Sequence, residues 1–320
     1  MAALTLEEVN KRYGGFHAVK DLSFQVEKGS ICGFLGPNGA GKTSTLRMIL
    51  GLQPATSGTI EILGEADGRK VRDRIGFLPE ERGLYKKMTP VEAIAFLGAL
   101  KGLPAGEGRR RARALLEAQG LGAARNKKMK DLSKGMAQKV QLIASVVHQP
   151  EFVILDEPFS GLDPMNQQGL EQMIRGLADE GATVLFSTHV MQHAERLCDK
   201  VVLLARGRKA FEGTVAEARA TSQRFLELEG DITPEAVAAL PGVSAVEVVS
   251  DDGEARMLKA SLAPSAGGQD ALKAAFLGGL DVRKFALKEP TLHDAFIGLT
   301  GDNPDQDQTV ARTETQEAAR

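Results

Sequence analysis

The segment GPNGAGKT, at 36–43, joins the short apolar run ICGFL, at 31–35, to a helical stretch, TSTLRMILGL. It fits the pattern G-x-x-x-x-G-K-[ST], which forms a phosphate-binding loop when a buried strand precedes it and a helix follows it. Both neighbours are present here. The segment therefore predicts a strand–loop–helix unit, which belongs to folds that bind nucleotides at the edge of a parallel sheet.

Each residue type in this loop suits a phosphate ligand. Gly36, Gly39 and Gly41 let backbone N–H groups turn inward, and the helix N-terminus adds positive potential. Lys42 would reach the β- and γ-phosphates, and Thr43 would be a ligand of Mg²⁺. We therefore expect ATP and Mg²⁺ as the bound species.

A second motif, FVILDEP at 152–158, has four apolar residues that end in an aspartate. Such a run predicts a buried strand that places Asp156 at the sheet edge to hold Mg²⁺, with Glu157 polarising the attacking water. In isolation, a strand followed by an acidic turn is common. Together with the loop at 36–43, the motif indicates a P-loop NTPase.

A third segment, DLSKGMAQKVQL at 131–142, begins a helix. Ser133 can cap that helix, and Gly135 leaves its backbone open to a ligand, so this helix start can bind an anion. The chain already has one phosphate site at Lys42, and a second one is explained if it serves the nucleotide of a partner. The alternative is a simple helix cap.

Two shorter motifs complete an ordered set. SGLD, at 160–163, follows the acidic strand directly, and STH, at 187–189, follows the next strand. His189 at a strand end could donate a hydrogen bond to a γ-phosphate, although a single histidine there is also compatible with a structural role.

The pattern of apolar residues indicates two domains. The first 65 residues are expected to form short strands, residues 88–150 to form helices, and the following segment to alternate strands with helices, which predicts a mostly parallel sheet covered by helices. We place this α/β domain at 1–220.

A second pattern begins near residue 222. The order β-α-β-β-α-β plus a helix, with a hairpin at Asp252–Gly253, predicts a small α+β, ferredoxin-like domain at 222–300. It carries no catalytic constellation; regulating the ATPase, bracing a dimer and a structural role all remain open for it. Residues 301–320 are polar and are expected to be a disordered tail.

The composition excludes several classes of protein. Charged residues make up 26% of the chain and the net charge is −2, which argues against a nucleic-acid binder with a broad basic surface. The two cysteines suggest no disulfide framework, and no stretch approaches the ~18 apolar residues of a membrane span. We therefore expect a reducing compartment, and any link to a membrane would depend on a partner.

The ordered motifs resemble those of ABC-transporter nucleotide-binding subunits across residues 4–220. The matching motifs are Walker A (36–43), the signature (132–136), Walker B (152–156), the D-loop (160–163) and the switch histidine (His189). The resemblance implies a P-loop core with an antiparallel β subdomain and a helical signature subdomain. It also implies a homodimer, or a pair with another nucleotide-binding subunit, that closes head to tail around two ATP molecules and drives an integral membrane permease.

Site residues follow from the same resemblance. The implied contacts to ATP are Tyr13, Gly36, Pro37, Asn38, Gly39, Ala40, Gly41, Lys42, Thr43, Ser44, Ser133, Gly135 and Asp163. The implied catalytic residues are Lys42, Glu80, Glu157 and His189, and the implied metal ligands are Thr43, Glu80 and Asp156. Tyr13 would stack on adenine; a half-buried strand residue is the alternative.

Two departures from the family pattern stand out. The signature has Lys134 where a glycine is usual, and GFLPEERGLYKKMTP, at 76–90, has Glu80 in place of the usual Q-loop glutamine. The PEERGLY segment and the C-terminal extension are similar to those of type 2 ABC exporters of the NatA-like group, which implies export.

Two other functions fit the sequence less well. A soluble ABC ATPase that acts on ribosomes or DNA would normally have two nucleotide domains or a long coiled coil, and this chain shows neither. A metabolic P-loop kinase would leave Ser133, Asp163 and His189 without roles. The basic helix at 109–113 suits a solvated face better than a nucleic-acid surface.

Overall fold

The computed structural model describes residues 1–81, 83, 86–253, 255–263 and 266–301. The chain divides into two compact units, one ending at Val215 and one beginning at Ala216. The predicted tail lies outside the described residues except for Gly301, which ends the last helix. Arg82, Leu84 and Tyr85 of the PEERGLY segment are also outside them.

Nine strands, six α-helices and three short 3₁₀ helices (Gly68–Arg74, Gly122–Ala124 and Met129–Asp131) form the first unit within the described residues. The strands are β1 (Ala2–Tyr13), β2 (Phe16–Glu27), β3 (Ile31–Leu35), β4 (Ser57–Ile62), β5 (Ile75–Leu78), β6 (Phe152–Asp156), β7 (Thr183–Thr188), β8 (Lys200–Ala205) and β9 (Arg208–Gly213). The helices are α1 (Lys42–Ile49), α2 (Pro90–Leu100), α3 (Ala105–Ala118), α4 (Lys134–Val146), α5 (Pro164–Asp179) and α6 (Met191–Leu197).

Six of these strands form one sheet in the order β5-β6-β7-β3-β8-β9. All neighbours are parallel except β8 and β9, so the predicted mostly parallel sheet is confirmed. Strands β3 and β6 are buried along their full length, as expected for strands covered on both faces. Since β3, β6 and β7 run side by side in one direction, the segments that follow them meet at one sheet edge.

Strands β1, β2 and β4 form a separate antiparallel sheet in the order β2-β1-β4. The expectation of short strands in this region was wrong for β1 and β2, which have 12 residues each. Glu8 and Asp21 have left-handed φ values of 47° and 49°, and the β1–β2 register shifts between Leu6 and Val9. Such irregularities break the alternation of apolar and polar residues, so that one long strand resembles two short ones in the sequence.

The two sheets share one hydrophobic core, in which the rings of Phe24 and Phe34 stack with centroids 5.3 Å apart. Helices α2, α3 and α4 enclose a core of their own, built around buried residues such as Ile94, Leu116 and Ile143. The antiparallel β subdomain and the helical subdomain that the sequence predicted are thus both present.

The second unit contains a four-stranded antiparallel sheet. Its elements are α7 (Val215–Ala220, which starts at the last residue of the first unit), β10 (Phe225–Asp231), α8 (Pro234–Ala238), β11 (Val243–Asp251), β12 (Arg256–Leu262), α9 (Gly268–Leu277), β13 (Asp281–Lys288) and α10 (Leu292–Thr300). The strand order is β11-β12-β10-β13, and Leu228 and Leu258 of the central strands form a core with Val237 and Ala271 of the helices. This topology confirms the ferredoxin-like fold.

Within the described ranges, no helix combines the length and the apolar character needed to cross a membrane.

Candidate functional site

The loop between β3 and α1 is shaped by close backbone approaches. A Cβ atom at Gly36 would lie 2.4 Å from the carbonyl oxygen of Leu204, and one at Gly41 would lie 2.8 Å from that of Ala18. Gly41 also has a φ of 100°, which a residue with a side chain rarely adopts. Both positions therefore require glycine for this loop conformation.

The N-terminus of α1 has no side-chain cap. Gly41 occupies the N-cap position without a capping hydrogen bond, and the first turn contains no acidic residue. The N–H groups of a first helical turn have no partner within the helix, and the helix dipole makes this end positive. This end of α1 can therefore bind a phosphate group through Lys42, Thr43 and Ser44.

Lys42 is the cation of this loop. Its side chain is almost completely buried, and its Nζ donates hydrogen bonds to the carbonyl oxygens of Gly36 (2.6 Å) and Pro37 (3.1 Å). The same Nζ lies 3.8 Å from Oε1 of Glu157. Burial lowers the pKa of Lys42, and the nearby carboxylates of Glu157 and Asp156 oppose this shift.

Asp156 ends β6 next to the end of β7. Its carboxylate accepts a short hydrogen bond from the hydroxyl of Ser187, its register partner on β7. Burial raises the pKa of Asp156, and the Ser187 hydrogen bond partly offsets that rise. The nearby ammonium of Lys42 and hydroxyl of Thr43 also lower this pKa. The phosphate loop and the acidic strand thus lie close together, as the two motifs predicted.

Glu157 has an unusual backbone conformation. Its φ is 46°, in the left-handed region that residues with a side chain rarely occupy, and its backbone N–H donates to the carbonyl oxygen of Ser187 (3.1 Å). Strain of this kind occurs where the surrounding structure imposes the conformation, often at functional sites. The side chain is buried and points to Lys42.

His189 contacts Glu157 directly. The Nδ1 atom of His189 lies 2.9 Å from Oε1 of Glu157, and this hydrogen bond is the main reason that the pKa of His189 is raised. Lys42, Glu157 and His189 thus form one continuous set of contacts. His189, which follows β7, therefore lies beside the carboxylate of Glu157.

Most of the predicted site residues line one cavity of about 290 Å³. Its lining includes Tyr13, Asn38, Gly39, Ala40, Gly41, Lys42, Thr43, Ser44, Glu80, Glu157 and His189. Gly36, Pro37 and Asp156 are outside this lining; Gly36 and Pro37 accept hydrogen bonds from Lys42, and Asp156 directly precedes Glu157. Glu80 is exposed; partial desolvation raises its pKa, and the neighbouring charges of Asp156 and Glu157 raise it further.

Two aromatic residues stand at the rim of this cavity. The hydroxyl of Tyr13 lies 2.5 Å from Oε1 of Gln53 and 3.3 Å from Oγ of Ser44, while 42% of the residue is exposed. Phe16, 65% exposed, also lines the cavity and was missed in the sequence. The available signal was its position beside Tyr13 across the β1–β2 turn, where the two residues pair.

Comparison with known proteins agrees with this geometry. The family model for ABC transporters matches residues 19–160. An uncharacterized ABC transporter ATP-binding protein of Bacillus subtilis (strain 168), YhaQ, is 37% identical over 299 residues, which cover 93% of this chain and 98% of that protein. This chain belongs to the ABC transporter ATP-binding family.

Further ABC ATP-binding proteins resemble this chain. The daunorubicin/doxorubicin resistance ATP-binding protein DrrA of Streptomyces peucetius is 32% identical over 330 residues, 97% of this chain and 96% of that protein. A solved ATP-binding subunit of an ABC transporter is 32% identical, with a TM-score of 0.62, and the match covers 68% of this chain and 92% of that one. The resemblance found in the sequence is thereby confirmed, and the chain is an ATP-binding ATPase.

Three further predicted site residues of this ABC subunit lie outside the lining of the nucleotide cavity. Ser133 is the N-cap of α4 and accepts from the N–H of Met136 (3.3 Å), as its helix-start position predicted. Asp163 is the N-cap of α5, and Gly135 lies beside Asn166 of that helix. None of the three is part of the lining that contains Lys42.

Replacing Asp156 should stabilise this ABC subunit in the absence of nucleotide. Because burial raises the pKa of Asp156, the folded chain binds that proton more tightly than the unfolded chain does, and ionisation destabilises the fold. The loss of folding stability caused by the ionised Asp156 is complete above the raised pKa of the folded chain. It vanishes as the pH falls toward the ordinary aspartate pKa of about 3.9. Asp156→Asn should therefore have a higher melting temperature than the wild type at pH 8, and the difference between the two should be smaller at pH 4.5.

Thermal denaturation at the two pH values checks this, with Asp179→Asn as the control because that carboxylate is exposed. A melting temperature for Asp156→Asn below that of the wild type at pH 8 would contradict the electrostatic explanation.

Proposed function

We propose that this chain is the ATP-hydrolysing subunit of an ABC exporter, which works as a homodimer or with a paired nucleotide-binding subunit and drives a separate membrane permease. The set of contacts that joins Lys42, Glu157 and His189 beside the uncapped start of α1 is the observation that carries the proposal. Family membership supports the permease and the pairing, and the drug-resistance name of DrrA supports export.

In this proposal each residue of the cavity has a distinct task. Lys42 and the N–H groups of α1 bind the β- and γ-phosphates, Glu157 orients the attacking water and accepts its proton, and His189 binds the γ-phosphate. Glu157 and His189 share a hydrogen bond, so that His189 also fixes the direction of the Glu157 carboxylate.

The oxygen atoms of Thr43, Asp156 and Glu80 suit Mg²⁺. Among the described residues, no group of three or more His, Cys, Asp or Glu side chains is arranged to hold a metal ion. In the proposal, Thr43, Asp156 and Glu80 would hold Mg²⁺ together with phosphate oxygens of the nucleotide. Bound there, Mg²⁺ supplies positive charge that offsets the charge on the transferred phosphoryl group.

The position of the signature favours action as a pair. Ser133 and Gly135, at the start of α4, are outside the lining that contains Lys42. In the proposal they, together with Asp163, contact the ATP held by the Walker A loop of the partner. The two ATP molecules are then bound at the same interface that the subunits form with each other.

Tyr13→Ala should weaken ATP binding by about 5- to 150-fold, because stacking on a base contributes roughly 1–3 kcal/mol. Tripolyphosphate lacks a base, so its affinity should not change. Fluorescence competition with both ligands measures this, and Tyr13→Phe, which keeps the ring and loses the contacts to Gln53 and Ser44, is the matched control. Equal losses for both ligands would instead favour a structural role for Tyr13 in β1.

The proposal places the chain in the cytoplasm, at the inner face of the membrane, with no nucleic-acid partner. The basic helix α3 supports the last point, because Arg110 and Arg111 both pair with Glu107 at 2.6 Å. We further propose that residues 1–220 are the nucleotide-binding domain and 222–300 an accessory domain.

The test is a pull-down of the tagged chain from detergent-solubilised native membranes, followed by mass spectrometry. The expected result is a multi-span permease that co-purifies with the chain. Recovery of ribosomal or DNA-associated proteins alone would support the alternative, a soluble ABC ATPase, and would overturn the exporter proposal.

A further inference from the structure

Lys134, the residue that replaces a usual glycine in the signature, packs against the D-loop of its own chain. A Cβ atom built at Gly161 would lie 1.6 Å from Nζ of Lys134 and 2.9 Å from its Cε. Gly161 has a φ of 62°, so glycine is favoured there for its backbone as well. The lysine side chain fills the space that a side chain at 161 would need.

Neighbouring residues of α4 contact the same segment. Nε2 of Gln138, one helical turn after Lys134, donates to the carbonyl oxygen of Pro158 (2.9 Å) at a buried position. Gly135, next to Lys134 in the chain, lies against Asn166: a Cβ atom at Gly135 would be 2.3 Å from Cγ of Asn166. Nδ2 of Asn166 in turn donates a hydrogen bond to Oδ2 of Asp163 (2.6 Å). The first turns of α4 therefore hold residues 158–166 at several points.

This segment begins directly after Glu157. Lys134, Gln138 and Glu157 line a common cavity of about 340 Å³, and Glu157 also lines the nucleotide cavity. The strained φ of Glu157 means that its conformation depends on support from the residues around it. A contact that fixes the loop at 158–163 thus also restricts the position of the Glu157 carboxylate.

We propose that Lys134 is a positioning residue: by packing on Gly161 it holds the D-loop of its own chain, and with it Glu157, in the arrangement needed for hydrolysis. The inference rests on the proposed roles of Glu157 and ATP. The effect comes from packing of the outer side-chain atoms, Cε and Nζ, on Gly161 and not from an ion pair, because the exposed Lys134 ammonium makes none within 4.0 Å among the described residues.

The first measurement is steady-state ATPase kinetics of full-length variants. Lys134→Gly and Lys134→Ala should lower kcat by about 5- to 20-fold and leave KM within about twofold, since small displacements of a catalytic group cost rate rather than binding. Lys134→Met keeps the stem and loses the charge, so it should retain kcat within about twofold. A wild-type kcat in Lys134→Gly, or equal losses in Lys134→Met and Lys134→Gly, would overturn the packing role.

A double-mutant cycle with Gly161→Ala tests the contact itself. The backbone cost of alanine at 161 occurs in both backgrounds and cancels, whereas the new methyl group displaces the Lys134 side chain only in the wild-type background. Gly161→Ala should therefore lower kcat at least about threefold less in Lys134→Gly than in the wild type. Equal losses, accompanied by a raised KM in Lys134→Gly, would instead show that Lys134 acts on the nucleotide of the partner.

Failure of this inference differs from failure of the proposed function. A wild-type chain without ATPase activity would refute the proposed function, whereas an active wild type whose rate does not respond to residue 134 would refute only the positioning role.

Discussion

Glu157→Gln should slow ATP hydrolysis by about 10²- to 10⁴-fold, the usual contribution of a general base, while ATP remains bound. Glutamine keeps the size of the side chain and can still contact His189, but it cannot accept the proton of the attacking water. The uncharged glutamine attracts Lys42 less strongly than Glu157 does. Lys42 nevertheless keeps its hydrogen bonds to the loop carbonyls. Bound ATP should then accumulate, and the paired state should persist.

Single-turnover hydrolysis measures the rate, and size-exclusion chromatography with ATP and Mg²⁺ measures the association state. Glu171→Gln is a matched control, because Glu171 is similarly buried and also pairs with a histidine, His193, at 3.2 Å. A Glu157→Gln chain that stays monomeric with ATP would contradict the paired arrangement for the isolated subunit. Hydrolysis at the wild-type rate would contradict the role of Glu157.

Lys42→Ala should weaken ATP binding by about 10- to 100-fold, because a hydrogen bond from a charged donor contributes roughly 1.5–3 kcal/mol. The buried ammonium lies at the uncapped end of α1, so its loss removes the main positive charge of the phosphate site. Hydrolysis should fall with it, even at saturating ATP.

Equilibrium binding of a fluorescent ATP analogue measures this loss. Lys101→Ala is the control, since Lys101 is also a lysine that donates to backbone carbonyls, among them that of Ile75 (2.9 Å), and burial lowers its pKa as well. Comparable losses in the two variants would indicate a general effect on the fold, and unchanged ATP affinity in Lys42→Ala would contradict the Walker A assignment.

The sequence predicted those parts of the site that depend on local pattern. The loop at 36–43 was recognisable because its glycines and lysine follow a buried strand directly, and the proximity of Lys42 to Glu157 followed from the rule that parallel strands end at one edge. Ser133 as a helix cap was predicted from residue type and position alone.

Other features depend on contacts between distant parts of the chain. Neither the left-handed backbone at Glu157 nor its hydrogen bond to His189 follows from local preference, because tertiary packing imposes both. The packing of Lys134 on Gly161 could not be predicted from the sequence either, because the two residues belong to segments that only the fold brings together. In β1, the left-handed backbone at Glu8 interrupts the alternation of apolar and polar residues, so the full length of the strand could not be predicted.

The backbone at residue 157 limits the choice of amino acid for this position. A φ of 46° disfavours β-branched side chains most strongly, whereas glycine and asparagine tolerate it best. Only aspartate and glutamate supply a carboxylate, and aspartate is shorter by one methylene. Glutamate at 157 therefore lowers folding stability through its strained backbone, but its carboxylate extends further into the cavity. Sequences that favour stability here, with glycine or asparagine, would fold well and hydrolyse ATP poorly.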